Sequence, residues 1–168
     1  MSYRNKTYVA FNADYPPGKG DLRYYRLMEA WKSNDNIDFN FHNAHDLNNL
    51  TNRASDEQIY KKLRERMKNT KQLIVLVGTH TKNMYKFVRW EIEIAMDMDI
   101  PIIAVNLDNE NKSTAKTPPI LKNNAYFVNV PFEARKIQYA LDMFPSEYHK
   151  NKDDAPSDRH YDWSKHKI

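Results

Sequence analysis

The sequence predicts an α/β fold in which a doubly wound, mainly parallel sheet of about five strands carries helices on both faces. Short apolar segments alternate with segments of helical periodicity along most of the 168 residues. Two of the apolar segments, residues 73–77 and 102–105, contain no polar residue. Strands without polar alternation are buried on both faces, as in the middle of a parallel sheet. Right-handed crossovers then place the connecting helices on both sides of that sheet.

A change in the spacing of apolar residues predicts the first strand and the first helix. Residues 8–11 form a short apolar strand that enters a loop rich in proline and glycine. Helical spacing begins after Asp21, which we expect to cap the helix. The apolar positions expected to face the core are Tyr24, Leu27, Met28 and Trp31. A second strand with alternating apolar residues follows and ends near His42.

The second helix explains the charge of the whole chain. Ser55 and Gln58 have the spacing of a capping box and predict a helix over residues 55–69. Its apolar stripe is narrow, so its basic residues are expected to form a solvated outer face. Residues 53–71 carry seven positive and three negative charges, and the rest of the chain is balanced, so this segment accounts for the net charge of +4. A nucleic-acid-coating protein would spread its basic groups, and we therefore expect no nucleic-acid partner.

The second half of the chain continues the alternation. A third helix over residues 86–98 leads into a strand over 101–107, and a polar loop with two prolines separates that strand from another over 126–130. Pro131 is expected at the first position of the last helix. The buried side of that helix is expected to comprise Ile137, Ala140, Leu141 and Phe144. We divide the chain into a domain of residues 1–144 and a charged, loosely attached tail of residues 145–168, for which Tyr161, Trp163 and Ile168 are candidate anchors.

Composition excludes several functional classes. The absence of cysteine rules out disulfide scaffolds, thiolate zinc sites and cysteine nucleophiles. No apolar run approaches the ~20 residues that cross a bilayer, and the first residues lack the apolar core of a signal peptide, so we expect a cytoplasmic protein without a membrane partner. His42, His45 and His80 suggest a metal site, but they lack the carboxylate–histidine spacing that would complete one. We therefore expect no metal.

Glu91 interrupts the apolar face of the third predicted helix. The row that contains it consists of Phe87, Glu91, Ile94 and Met98. A carboxylate on the buried side of a helix costs several kcal/mol unless it is paired or faces a cavity. The pattern is equally compatible with a functional carboxylate and with a buried ion pair to Arg89 or Arg53.

The segment around Glu91 resembles part of a TIR-like domain. Residues 78–92, GTHTKNMYKFVRWEI, have the arrangement G-x-x-T, aromatic-V-x-x-E-I, after a Val/Ile/Leu strand and before Pro-Ile-Ile. The resemblance extends over residues 7–144 and is greatest to the stand-alone TIR-like proteins of bacterial Thoeris antiphage systems. It implies a flavodoxin-like, doubly wound fold, in agreement with the pattern of elements.

The resemblance also implies an activity, the cleavage of NAD+ at the nicotinamide–ribose bond. Glu91 stands at the position of the family's catalytic glutamate. Nicotinamide leaves a cationic glycoside as a neutral molecule, so one carboxylate suffices where ordinary glycosidases need two. NAD+ would be a substrate and not a cofactor. The product, a cyclic or conjugated derivative of ADP-ribose, would activate a separate effector protein, and the enzyme itself is a possible homo-oligomer.

Five further residues are candidates for substrate binding: Phe11, Asn12, Asp46, Thr81 and Trp90. Phe11 is suited either to stacking on a base or to the core, and Asn12 to binding a ribose or phosphate. Asp46 is suited to binding a hydroxyl or to capping its loop. Thr81 is expected to contact the ligand or cap the next helix, and Trp90 to serve packing or assembly.

Two functions without catalysis remain alternatives. One is a TIR-type protein-interaction module that signals by assembly through exposed helices. The other is a nucleotide-binding sensor with a flavodoxin-like fold, which would bind its ligand without converting it. Arg53 lies just before the basic helix. If the protein is an enzyme, we expect Arg53 to reach the pyrophosphate of NAD+.

Overall fold

A computed structural model describes residues 5–13, 20–33, 40–42, 54–82, 86–154 and 156–168. The strands are β1 (Asn5–Ala10), β2 (Asn40–His42), β3 (Gln72–Val77), β4 (Ile102–Asn106), β5 (Tyr126–Pro131) and β6 (Ser157–His160). The helices are α1 (Leu22–Ser33), α2 (Asp56–Met67), α3 (Lys86–Asp97), α4 (Pro119–Asn124) and α5 (Ala134–Asn151), and residues Trp163–Lys165 form a 3₁₀ turn. The sheet has the order β2-β1-β3-β4-β5-β6, and each neighbouring pair is parallel. The predicted doubly wound α/β fold is confirmed.

Helices cover both faces of this sheet and enclose two apolar clusters. One cluster lies under α2, α3 and α4, on what we call the α2/α3 face. The other lies under α1 and α5, on the α1/α5 face. Strand β1 contributes to both because its side chains alternate: Tyr8 and Ala10 belong to the α2/α3 face, and Val9, like Phe11 just after the strand, belongs to the α1/α5 face.

The two central strands match their apolar sequences. Every residue of β3 and of β4 is buried. Leu73 of β3 is in register with Ile102 of β4, and Val77 with Asn106. The crossing from β2 to β3 passes over β1, so the strand order reverses between β1 and β3. In sheets of this kind the crevice beyond the carboxyl ends of those two strands is the usual ligand site.

Helix α2 forms as its sequence predicts. The Ser55 hydroxyl accepts a hydrogen bond from the Gln58 amide, and the Gln58 side chain accepts one from the Ser55 amide, which completes the capping box. Its buried residues are the predicted Ile59, Leu63 and Met67. The predicted outer face is exposed and consists of Lys61, Lys62, Arg64, Arg66 and Lys68.

Helix α1 is rotated relative to the prediction. Its buried residues are Tyr25 and Met28, whereas Leu27 is 44% exposed. The Tyr25 ring stacks on Phe11 with 5.0 Å between centroids, and this contact decides which side of the helix faces the sheet. Trp31 is half-buried and packs on Phe132 at 4.9 Å.

Two local predictions in the second half are wrong. The polar loop between β4 and β5 contains the short helix α4, with Pro119 in its first turn. Pro131 ends β5, and α5 begins three residues later at Ala134. The predicted buried side of α5 is confirmed, since Ile137, Ala140, Leu141 and Phe144 are buried there.

The segment of residues 145–168 is attached to the sheet, in contrast to the loose tail that its composition predicts. Helix α5 continues through Pro145 to Asn151, and β6 then pairs with β5 along Tyr126–Asn129. The Trp163 indole donates a hydrogen bond to Asn111 at 2.7 Å. Backbone pairing, which needs no apolar side chains, therefore holds a charged segment in place. Among the helices of the described ranges, none is long and apolar enough to cross a membrane.

Candidate active site

Glu91 lies on the buried side of α3, which packs on the α2/α3 face of the sheet. Its neighbours one turn away, Val88 and Ala95, belong to the apolar cluster of that face, and so does Ile92. Glu91 itself is 7% exposed. Its Oε2 atom is buried and has no hydrogen-bond partner in the part of the chain that the structure describes. A carboxyl group therefore lies in an apolar environment, as the helix pattern predicts.

The ion pair offered as the alternative reading of Glu91 is not formed with Arg89. The Arg89 guanidinium instead donates to Glu93 at 2.9 Å, one turn along the same helix. Arg53, the other proposed partner, lies outside the described residues. Burial raises the pKa of Glu91 from 4.5 to about 8. Strongly shifted carboxyl groups of this kind occur most often in functional sites.

Tyr8 is a second buried polar group on the same face, and the sequence analysis treated it only as part of a buried strand. It is 2% exposed, and its hydroxyl has no hydrogen-bond partner among the described residues. Burial raises the pKa of this phenol, and the charge of Glu91 raises it further. The two groups therefore lie close enough to interact electrostatically. Only the alternation of β1 and its register in the sheet reveal this, so the sequence pattern offered no signal.

Thr81 closes the turn that follows β3. Its side chain is fully buried, and its Oγ1 accepts a hydrogen bond from the Gly78 amide at 2.8 Å. The same oxygen lies 3.2 Å from the Leu76 carbonyl and 3.4 Å from Oδ2 of Asp21. The hydroxyl is thus used within the turn, and the structure favours neither a ligand contact nor a helix cap for it.

Asp21 is the partner of this turn and has a larger role than the cap that its sequence position predicts. It is buried, and burial raises its pKa from 3.8 to about 6, although the hydrogen bond from Thr81 opposes the change. Its carboxylate lies so close to Gly78 that a β-carbon there would stand 2.5 Å from Oδ1. The glycine is required by this close approach.

Phe11 and Asn12 follow β1 at its carboxyl end. Phe11 is buried in the cluster of the α1/α5 face and stacks on Tyr25, so it lies on the opposite side of the sheet from Glu91. The structure thus places Phe11 in the core, which was one of its two predicted roles. Asn12 is also buried, and its carbonyl accepts a hydrogen bond from the Asp21 amide at 2.9 Å, next to the crevice.

Comparison with known families supports this assignment of the fold. The model of the Thoeris protein ThsB, TIR-like domain, matches residues 8–112, which is more than half of the chain and includes the second half of β1 and all of β3, α3 and β4. The chain belongs to the ThsB TIR-like family. The resemblance seen in the sequence is confirmed, and membership associates this TIR-like protein with Thoeris antiphage defence.

Trp90 joins two helices of this ThsB-type TIR domain. Its ring packs edge-to-face on Tyr60 of α2 at 5.8 Å and on Phe87 of α3 at 5.6 Å. The Lys86 ammonium lies 5.1 Å from its centroid. These contacts match the packing role offered for Trp90. Phe87 itself, predicted on the buried row, is 41% exposed.

Several candidate residues of the ThsB-type domain cannot be placed. Asp46, Arg53 and His45 lie outside the described residues, and of His42 only the backbone is described. The contribution proposed for the loop between β2 and α2, and the three-histidine hypothesis, therefore stay predictions without a structural test.

A cavity of about 510 Å³ opens beyond the carboxyl ends of β3 and β4, beside the start of α1. Its lining includes Asp21, Tyr24, His80, Asp108 and Lys116. This is the crevice beside the reversal in strand order, where a doubly wound sheet binds its ligand. The ThsB-type domain thus has polar groups of both charges at the position that the fold predicts for a site.

Proposed function

We propose that this ThsB-family TIR domain cleaves NAD+ at the nicotinamide–ribose bond, with Glu91 as its catalytic carboxylate. The observation that carries the proposal is a buried carboxyl group whose Oε2 has no hydrogen-bond partner in the described structure. A protein keeps such a group, which costs free energy of folding, where a ligand or a transition state uses it. The family match adds support because its residues 8–112 include Glu91.

The chemistry requires little from the protein besides one negative charge. The bond between C1′ of the ribose and the nicotinamide nitrogen breaks, and the bonding electrons leave with neutral nicotinamide. The ribose acquires oxocarbenium character, which a nearby carboxylate stabilises by electrostatics and by accepting hydrogen bonds from ribose hydroxyls. Burial strengthens this effect because the low dielectric of the interior weakens screening. A nucleophile then adds to C1′ and completes the reaction.

The raised pKa of Glu91 has a kinetic consequence. Only the ionised carboxylate stabilises the developing cation, and in the free protein that form dominates above a pH of about 8. NAD+ carries a positive charge on its nicotinamide ring, which favours ionisation once it is bound. We expect kcat/KM to rise about tenfold per pH unit below this pKa and to level off above it. A profile that is flat from pH 6 to 9 would contradict the assignment.

The remaining predictions about the site extend this proposal. Asn12 lies at the crevice and stays a proposed substrate contact, together with Asp46 and Arg53 of the loop before α2. Phe11, Thr81 and Trp90 have packing or turn-forming roles in the structure, so we assign them to the support of the site. The product is proposed to be a cyclic or conjugated ADP-ribose that activates an effector protein.

The experiment that tests the proposal is incubation of the full chain with NAD+, alone and with extract from phage-infected cells, followed by mass spectrometry of every nucleotide formed. We expect equimolar nicotinamide and one ADP-ribose-derived product in at least one condition. NAD+ left intact in both conditions at high protein concentration would contradict the proposal. If the protein then self-associates or binds a partner, the interaction-module alternative is favoured.

A further inference from the structure

The cavity of about 510 Å³ at the carboxyl edge opens on the α1/α5 side of the sheet. Two of its lining residues, Tyr24 and Leu107, pack against the apolar cluster of that face. Glu91 instead belongs to α3, which packs on the α2/α3 face. The volume lies within the range of about 300–1,000 Å³ that is usual for small-molecule sites. The chemistry proposed for Glu91 therefore leaves this cavity without an assigned ligand.

Asp21 is the most buried charged residue that lines the cavity, with 7% of its surface exposed. Among the described residues its carboxylate has no ion pair and one hydrogen-bond contact, with the Thr81 hydroxyl at 3.4 Å. That hydroxyl has a single proton, and the Leu76 carbonyl competes for it at the shorter distance of 3.2 Å. An ionised carboxylate accepts about four hydrogen bonds. Most of the acceptor capacity of Asp21 is therefore unused.

The arginine and the lysine that line the cavity already have partners. Lys116 pairs with Asp108 at 3.0 Å. The Arg23 guanidinium donates to the Tyr24 hydroxyl at 3.2 Å and lies 4.8 Å from the centre of that ring. Burial raises the pKa of Asp21 to about 6, so its carboxylate is ionised at neutral pH. The cavity thus requires hydrogen-bond donors from a ligand, and its two cations oppose a ligand that is itself a cation.

We propose that this cavity binds the ribose of a nucleotide, with Asp21 accepting hydrogen bonds from the ribose hydroxyls. Two adjacent hydroxyls offer one carboxylate two donors. Carboxylates bind ribose hydroxyls in the ligand crevices of other doubly wound sheets. Arg23 and Lys116 favour a ligand that carries a phosphate and disfavour an amine, which would otherwise supply the same donors. The site is separate from Glu91, and the inference does not rest on the proposed function.

The test measures by calorimetry the Kd of the full chain for AMP, GMP, CMP and UMP and for the 2′,3′-dideoxy analogue of each. In the wild type, we expect at least one ribonucleotide to bind about tenfold or more tightly than its analogue, because the analogue leaves the buried carboxylate without donors. Asp21→Ala should remove most of this difference. The matched control is Asp108→Asn, which removes a more exposed carboxylate from the same cavity and should keep the difference.

Three results of the calorimetry overturn the inference. They are equal Kd values for every ribonucleotide and its analogue, no binding of any ribonucleotide at millimolar concentration, and a difference that persists in a folded Asp21→Ala. No NAD+ is used, so failure of this test and failure of the proposed cleavage are distinguishable.

If Asp21→Ala fails to fold, backbone amide NMR signals of the wild type locate the site. Addition of the ribonucleotide should shift the signals of Gly78 and His80, which line the cavity, and leave that of Ala95 on α3 unchanged. Shifts centred on α3 would place the nucleotide at Glu91 and overturn the inference.

Discussion

Glu91 is a carboxylic acid at a position that the helix period assigns to the core. Burial raises its pKa from 4.5 to about 8, so between these values the folded protein holds a proton that the unfolded chain has released. Where the folded state binds more protons, stability falls as pH rises. At the residue scale, therefore, Glu91 opposes folding most strongly in the pH range where its charge is available for chemistry.

This fall of stability with rising pH leads to a prediction about Glu91→Gln, whose side chain cannot ionise. We expect the variant to be more stable than the wild type, by a margin roughly 2 kcal/mol larger at pH 8.5 than at pH 6. Asp21, whose pKa is raised to about 6, contributes little over this interval because it is ionised through most of it. Urea unfolding at the two pH values measures the margin. Equal margins would show that Glu91 is not desolvated as described.

The hydroxyl group of Thr81 leads to a prediction about the stability of two variants. Thr81→Val keeps the shape of the side chain and leaves the buried Gly78 amide without its 2.8 Å acceptor. We expect a loss of about 1–3 kcal/mol in the free energy of unfolding, and we expect Thr81→Ser, which retains the hydroxyl, to lose less. Thermal or urea unfolding of the two variants provides the measurement. Equal losses would show that the hydroxyl contributes no more to stability than the methyl group does.

At the element scale, the turn after β3 is held against the start of α1 by Gly78 and Asp21. A β-carbon at residue 78 would meet Oδ1 and Oδ2 of Asp21 at 2.5 and 2.6 Å. We expect Gly78→Ala to destabilise the wild type by about 1–3 kcal/mol, and we expect this cost to shrink by ~1 kcal/mol or more in an Asp21→Ala background. A double-mutant cycle measures the difference. Additive effects would show that the clash does not occur.

Elements with a strong period were predictable from the sequence, and those without one were not. The run 73–77 gave β3, and the capping box gave the start of α2, because local chemistry determines both. Strand β6 has the polar sequence SDRH and pairs through its backbone, so side-chain pattern carries no signal for it. Pro131 fits both a strand end and a helix start, and only the packing of α5 distinguishes them.

The candidate site shows the same division. Glu91 was predictable because a charged residue interrupts an apolar row of the helix. Such a conflict between residue type and expected burial is typical of functional positions. Tyr8 and Asp21 carried no conflict, since a tyrosine in a buried strand and an aspartate before a helix are both ordinary. Their roles arise from strand register and loop contacts between distant segments, which no local pattern encodes.

For the whole molecule, one buried polar network joins β6 to the sheet. The Asn129 side chain accepts a hydrogen bond from Asn106 at 3.2 Å and donates to Ser113 at 3.2 Å and to the Asp158 carboxylate. Asn129 is fully buried. The segment beyond α5 is therefore attached by the Asn129 side chain in addition to backbone pairing and the hydrogen bond between Trp163 and Asn111.

This network predicts the behaviour of the C-terminal segment. Asn129→Ala should leave the rest of the sheet folded and increase trypsin cleavage at Lys152 or Arg159 by about tenfold or more, because local opening becomes easier by at least one hydrogen bond. Asn123→Ala, at an exposed position of α4, is the control. Limited proteolysis with mass spectrometry measures the rates. Equal rates in both variants would contradict the role of the network.

The net charge of +4 comes from residues 53–71, and the basic residues of α2 within this segment are exposed. The proposed chemistry depends instead on the negative charge of Glu91, which lies on the buried side of α3. A variant that removes this charge and preserves the fold separates the catalytic account from every account based on binding or assembly.

The measurement that tests the central claim most directly is the rate of nicotinamide release from NAD+ by the wild type, Glu91→Gln and Glu93→Gln. Glu93 lies on the same helix and pairs with Arg89 at 2.9 Å, so its replacement controls for the loss of a carboxylate from α3. We predict that Glu91→Gln is folded and slower by at least ~100-fold, and that Glu93→Gln stays within about threefold of the wild type. A folded Glu91→Gln that releases nicotinamide at the wild-type rate would contradict the account.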